Sequence, residues 1–204
     1  MKSHVLGAAA ALLLLGAGCA SAQQAGTFTM GLGLADVVPQ NDTGTVAGRD
    51  SSVDSDIRPS LTLEYFVFDN IGIEILAATP FKHDVTLAGL GNVGEAQHLP
   101  PTLSLQYHFA NDTRFTPFVG AGINYTAVLD TKAKGALAGQ NLHFDDSWGL
   151  AAHAGIDVGL GENDAVRLDA RYIDIDLDAS LNGASIGTAK LDPMIYGISW
   201  IHRF

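Results

Sequence analysis

Six ionisable side chains that fall on one alternation parity offer the densest chemistry in the chain: Glu64, Glu74, Asp157, Arg167, Asp169 and Arg203. Acids and arginines confined to one face would pair, because an isolated buried charge is very costly. His108 enters at the same level. The pattern describes an ion-pair plug, and it equally describes side chains that merely fill a narrow interior. Nucleophilic catalysis has little support: Ser147 and His153 share a face, yet they stand six residues apart, about 20 Å of strand, beyond the reach of proton transfer. His83 and His98 bracket one connection and are expected to face each other across its base. With Asp84 they are candidate metal ligands. Hydrogen bonding at the base of a loop is the favoured reading, since divalent sites add further ligands of defined geometry. No cofactor motif is present.

These residues owe their common face to a strict period of two. In segment 27–38, Phe28, Met30, Leu32 and Leu34 alternate with Thr29, Gly31, Gly33 and Ala35. Segment 57–68 sets Ile57, Leu61, Leu63 and Tyr65 against Arg58, Ser60, Thr62 and Glu64. Segments beginning at Ile71, Leu99, Phe115, Ser147, Val166 and Met194 repeat the scheme, so eight are expected. Each has roughly the 9–11 residues that a tilted strand needs to cross a bilayer. Short turns at Asp69-Asn70, Asn111-Asp112 and 161–164 alternate with long connections near 39–56, 82–98, 127–146 and 177–190. Short periplasmic turns with long external loops are the habit of outer-membrane barrels. Tyr65, Tyr107, Phe109, Phe115, Tyr125, Trp148, Tyr172 and Trp200 lie towards segment ends, where interfacial girdles sit. A soluble sandwich or lipocalin-like barrel also alternates, but it would turn the aliphatic face inward and leave the glycines and charges outside. The expected fold is therefore all-β, an eight-stranded antiparallel transmembrane barrel with an external face for the lipid bilayer.

The first residues fit export. Lys2 precedes an uncharged apolar run from Val5 to Leu15, and Ala20-Ser21-Ala22 offers a cleavage site. The run is too short for a membrane helix, so residues 1–22 are expected to be a cleavable signal peptide and 23–204 the barrel. Cys19, the single cysteine, falls within the leader. Lys and Arg number 11 against 22 Asp and Glu, and loss of Lys2 would take the net charge from -11 to -12. Nucleic acid is an improbable partner for such a chain. The external acids, including Asp50, Asp54, Asp56, Asp145 and Asp146, read as a solvated surface able to bridge to lipopolysaccharide through divalent cations.

Three stretches resemble the OmpW family closely: Asp69 through Thr79-Pro80-Phe81-Lys82-His83, then His98-Leu99-Pro100-Pro101-Thr102-Leu103, then Pro117-Phe118-Val119-Gly120-Ala121-Gly122-Ile123-Asn124-Tyr125-Thr126. Asp146-Ser147-Trp148-Gly149 and Leu191-Asp192-Pro193 also fit. The resemblance implies a Gram-negative outer-membrane location and a narrow, largely apolar interior that admits small hydrophobic compounds; it also implies that some relatives are bacteriocin receptors. Arg171 departs from it, standing where the family pattern has an aromatic. Phe204, on a face with Trp200, Ile198 and Tyr196, resembles the C-terminal signal of outer-membrane barrels, which implies the barrel-assembly machinery as a partner.

Strand direction places each inward residue at a height. The charged set falls low, while Leu76, Ala78, Phe118, Asn124, Ala151, Arg171, Ile173 and Ile195 are expected to line a channel, with an apolar funnel above the plug. Arg171 is expected to pair downward with Asp169 and its neighbours. Pro80, Pro100 and Pro101, at the upper ends of neighbouring strands, lack backbone donors; they mark a lateral seam or simply close a long loop. A channel for passive uptake of small hydrophobic solutes is expected, with a docking barrel whose loops bind lipopolysaccharide or bacteriocins as the alternative. No enzymatic activity is expected.

Overall fold

A computed structural model describes residues 23–40 and 44–204, so the expected leader lies outside the described residues. The alternating segments become strands in which one side chain in two is withdrawn from the surface. In chain order they are β1 (Phe28–Val38), β2 (Thr45–Val46), β3 (Arg49–Val53), β4 (Asp56–Phe68), β5 (Ile71–Ala78), β6 (Phe81–Leu87), β7 (Gly91–Leu99) and β8 (Thr102–His108). The second half supplies β9 (Phe115–Ala133), β10 (Leu142–Phe144), β11 (Ser147–Gly159), β12 (Asp164–Ile173), β13 (Asp176–Leu181), β14 (Ala184–Lys190) and β15 (Met194–Arg203).

Eight of these close a barrel. Antiparallel ladders run β1, β4, β5, β8, β9, β11, β12, β15 and back to β1, where Thr29 opposes Arg203 and Val38 opposes Met194. The wall turns its aliphatics outward: Leu34 is 50 % exposed, Ile75 50 % and Leu105 56 %, whereas Glu74 is 1 % and Gln106 0 %. A continuous greasy belt around a polar interior is stable only with hydrocarbon outside. Aromatic side chains edge the belt at two levels, Tyr125 tilted against Trp148 above, and Phe28 stacked on Phe204 below at 4.6 Å.

The long external connections are themselves strands. Their glycines and charges read as loop, yet Phe81, His83, Val85 and Leu87 are buried in alternation, as are Ile175, Leu177 and Ala179. Pairing runs β10, β13, β14, β2, β3, β6, β7 and then the upper part of β9, building a head above the barrel. β9 belongs to both layers, bonded low down to β8 and higher up to β7. The buried aliphatics of the head continue into the upper barrel as one cluster that includes Phe81, Leu87, Phe144, Ile173, Leu177 and Ile195.

The ladder between β5 and β8 breaks above Leu76. β5 and β8 pair from Ile71 opposite Tyr107 up to Leu76 opposite Thr102, and the next pairing above is Phe81 opposite His98 in the head. Between them, residues 77–80 and 99–101 face each other without a ladder, and three of these seven are Pro80, Pro100 and Pro101.

Candidate functional site: a layered barrel interior

The lowest interior layer is built around Arg167. Register sets Glu64 directly opposite Glu74 on β4 and β5, a like-charge pair that would repel. Across the lumen, Arg167 reaches between them: Nη1 donates to Glu74 Oε2 at 2.9 Å and Nη2 to Glu64 Oε2 at 3.4 Å. Its other edge grips Asp157, its register partner, in a two-bonded fork at 2.7 and 2.9 Å. All four residues are at most 5 % exposed. Burial at that depth is tolerable because each charge meets opposite charges through well-formed hydrogen bonds.

Two histidines and a glutamine complete the layer. His108 Nε2 lies 2.8 Å from Glu64 Oε1, and Gln106 Nε2 donates to Glu74 Oε2 at 2.9 Å while its carbonyl sits 3.0 Å from His153 Nε2. The Phe118 ring lies under the guanidinium of Arg167, 4.3 Å from its carbon, a cation–π arrangement. Four glycines make the room. A Cβ at Gly72 would collide with the Glu64 carboxylate, at Gly120 with His153, at Gly155 with the Phe118 ring, and at Gly197 with Asp169.

Several candidates sit elsewhere than parity alone placed them. Arg203 lies below this layer, half-buried at the periplasmic rim, where Nη2 donates to Gln23 Oε1 at 2.7 Å. Arg171 turns away from Asp169: Nη2 donates to Glu74 Oε1 at 2.6 Å and Nη1 to Ser104 Oγ at 3.3 Å, because Glu74 is the more deeply buried acid and the costlier one to leave half-neutralised. Asp169 instead lines a small cavity of about 20 Å³ at mid-height together with Leu76, Arg171 and Ile195. Phe118 serves the ionic layer and does not line an apolar passage. Phe66, fully buried against the His108 ring, is the member that sequence reasoning missed; its even position inside segment 57–68 was the available signal.

Above mid-height the interior is apolar and filled. Ala35, Ala151, Ile173 and Ile195 are each at most 5 % exposed, and Ala78 packs against their cluster. The expected open funnel is thus occupied by side chains, since an eight-stranded interior is only just wide enough for them and the head adds its own.

At the break in the wall, Asn124 on β9 is fully buried. Its amide Nδ2 approaches the carbonyls of Pro100 at 3.0 Å and Pro101 at 3.1 Å, and Thr102 Oγ at 3.0 Å, while Oδ1 accepts from Thr126 at 2.7 Å. Expected as a lining residue, Asn124 is the clasp that holds the proline pair to β9.

Just above lie the two histidines. The rings of His83 and His98 stack with centroids 5.1 Å apart, beside Phe81. His83 Nδ1 sits 2.6 Å from the Asp54 carbonyl. Burial holds both imidazoles below their usual titration range, His98 at about 3. Asp84, considered with them as a ligand, is drawn away by Lys134 at 2.8 Å. A different trio, Asp174, Asp176 and Asp192, gathers carboxylate oxygens within 4.8 Å of one another at the base of the head; three acids so close to the surface are also what a solvated rim looks like.

An OmpW family model matches residues 24–204. The chain belongs to the OmpW family. Outer membrane protein W of Escherichia coli K12 is 39 % identical over the whole of both chains. Among solved structures, the outer membrane protein OprG of Pseudomonas aeruginosa superposes with a TM-score of 0.76 at 33 % identity, covering 89 % of this chain and 97 % of that one. The dibenzothiophene metabolism operon protein PahQ of Pseudomonas aeruginosa is 26 % identical over 75 % of each chain. As an OmpW-family barrel, the protein resides in the outer membrane of a Gram-negative bacterium, in a family of membrane barrels rather than enzymes. Its layered interior is then to be understood as part of a membrane wall.

Proposed function

We propose that the barrel takes up small apolar solutes passively from outside, through the apolar upper interior, and releases them sideways into the membrane between β5 and β8. The observation that carries this reading is the unladdered stretch between residues 77–80 and 99–101. The wall there is held by side-chain packing, which is easier to open than a hydrogen-bonded ladder, while the Asn124 clasp ties the proline pair to β9 and not across to β5. A downward exit is disfavoured by the Arg167 layer, where a hydrocarbon would have to displace charge-assisted hydrogen bonds. Leu76 stands at the turning point, half-buried beside the mid-height cavity. The family's implied preference for small hydrophobic compounds, and a relative named for dibenzothiophene metabolism, agree with an apolar cargo. Entry requires the upper cluster to rearrange, because the described cavities are far below the roughly 300–1,000 Å³ of ordinary ligand sites. Phe204, 56 % exposed at the periplasmic end, is the proposed handle for the barrel-assembly machinery. Residues 1–22 are the proposed export signal.

Uptake of a naphthalene-like tracer tests this in cells making the wild type, Leu76→Asp, Leu76→Trp, or a barrel with Ala78→Cys and Pro100→Cys closed by oxidation. Uptake is expected to fall in all three variants and to recover when the cysteine pair is reduced. Equal uptake in all, or none above cells lacking the protein, would leave docking by the head as the better reading.

A further inference from the structure

The two strands that flank the break are tied together from inside the barrel, just below it. The guanidinium of Arg171, projecting from β12 across the lumen, donates through Nη2 to Glu74 Oε1 on β5 at 2.6 Å and through Nη1 to Ser104 Oγ on β8 at 3.3 Å. Glu74 and Ser104 are register partners, two rungs below the last one, Leu76 opposite Thr102. One planar group therefore grips both strands at a single level, close to where their ladder ends. Lower still, Gln106 on β8 donates to Glu74 Oε2 at 2.9 Å. Above Leu76 no ladder joins residues 77–80 to 99–101, and the Asn124 clasp draws the proline pair towards β9.

The surroundings make this tie firm. Arg171 is 2 % exposed, Glu74 1 % and Ser104 2 %, so water hardly competes for the bonds, and the one to Glu74 is charge-assisted. To part β5 from β8 at this level, the guanidinium must abandon one strand and leave a buried polar group unmet. Parting them higher up breaks no such bond. Arg171 also lines the mid-height cavity with Leu76, Asp169 and Ile195, so a solute descending the apolar interior meets the tie at its turning point. The ionic layer does not depend on it, because Glu74 accepts from Arg167 and Gln106 as well.

We propose that Arg171 fixes the lower end of the lateral exit and thereby the size of solute that the exit passes. This rests on the uptake reading and deepens it. With the tie in place the opening is confined to the stretch 77–80 opposite 99–101, about 13 Å of strand at the usual rise. Once the side chains at each end have taken their share, such a gap passes compact hydrocarbons of one or two rings and holds back rigid ones of four. Without the tie, the rungs at Leu76 and Ile75 are free to part, and the opening lengthens by about 7 Å.

The test compares residues 23–204 of the wild type with Arg171→Met and Ser104→Ala. In lipid nanodiscs, amide hydrogen exchange at residues 74–76 and 102–104 is expected to quicken about tenfold in Arg171→Met, the worth of one hydrogen bond to a charged group. Ser104→Ala should show a smaller change, and the ladder between β1 and β4 none. Unaltered exchange, or exchange that quickens equally in both ladders as a general loosening would produce, overturns the proposal. In cells, the ratio of pyrene to naphthalene uptake is expected to rise several-fold in Arg171→Met, with naphthalene uptake kept. A fixed ratio overturns the role in size selection. Should Arg171→Met fail to fold, Ser104→Ala and Arg171→Lys, which keeps the charge but loses the fork that reaches both strands, carry the same comparison. Naphthalene uptake by the wild type no faster than in cells lacking the protein would instead overturn the uptake reading, and the exchange rates still decide whether Arg171 ties the two strands.

Discussion

The lower and upper halves of the interior are both closely filled, but by opposite means. Below, Arg167 binds three carboxylates contributed by β4, β5 and β11, so every bond there has a direction and a designated partner. Above, Ile173, Ile195 and their neighbours are held by contact and by exclusion of water, and no single pair is indispensable. The ionic layer can be broken by removing one atom group and cannot easily adapt, whereas the aliphatic layer gives way a little at many points. The proposed uptake route, shut towards the periplasm and yielding near the surface, needs that division.

The sharpest way to break the comparison is to delete the hub. Arg167→Ala should leave buried Glu64 and Asp157 without their guanidinium, Glu74 keeping only Arg171, and destabilise the barrel by about 3–5 kcal/mol, measured as the shift of the unfolding midpoint in urea from lipid vesicles. Neutralising the two acids as well, with Glu64→Gln and Asp157→Asn in the same chain, should recover much of the loss. An unaltered midpoint in the single variant would show that the layer only fills space.

Acid should act on the head in a graded way. His98 stays neutral when folded, at about 3, against about 6.5 for a free imidazole. The unfolded head therefore binds more protons, and its stability declines as the pH falls from about 6.5 towards 3, by up to roughly 1.4 kcal/mol per pH unit. Hydrogen exchange of β6 and β7 amides across that range should show the decline, and His98→Phe should reduce it, leaving the share of His83. A slope unchanged by the substitution would assign it to other groups.

Trimming one methyl from the apolar half should matter least. Ile175→Val is expected to cost about 0.5–1.5 kcal/mol in the same urea assay, with tracer uptake unchanged or slightly faster. A loss as large as that of Arg167→Ala would mean that the two halves are not mechanically distinct.

The charged layer was legible because alternation fixes facing, and Glu64, Glu74, Asp157 and Arg167 all fall on the inward parity of strands whose direction the loop lengths reveal. Alternation says nothing about reach. A guanidinium extends far enough to choose among several acids, so Arg171 bonding to Glu74, and Arg203 dropping to Gln23, depended on distances that only the assembled barrel defines. The head was misjudged for a different reason. Its glycines and acids are turn-like in type, but Phe81, His83, Val85 and Leu87 already carried the period of two, and the break at Pro80 disguised it as a loop. The unpartnered ring nitrogens of His98 left no trace in sequence, since an unmet hydrogen bond is a property of the surroundings.

β9 gives the molecule its stature. Nineteen residues at the usual rise make a beam of about 63 Å, and at the tilt of such barrels this stands about 48 Å tall against an apolar belt about 25 Å high. Some 20 Å therefore projects past the membrane's oily layer, enough to lift the head above the anchored acyl chains and into the zone of surface sugars. On the proposed uptake route, a molecule diffusing among those sugars meets the head before it meets the wall.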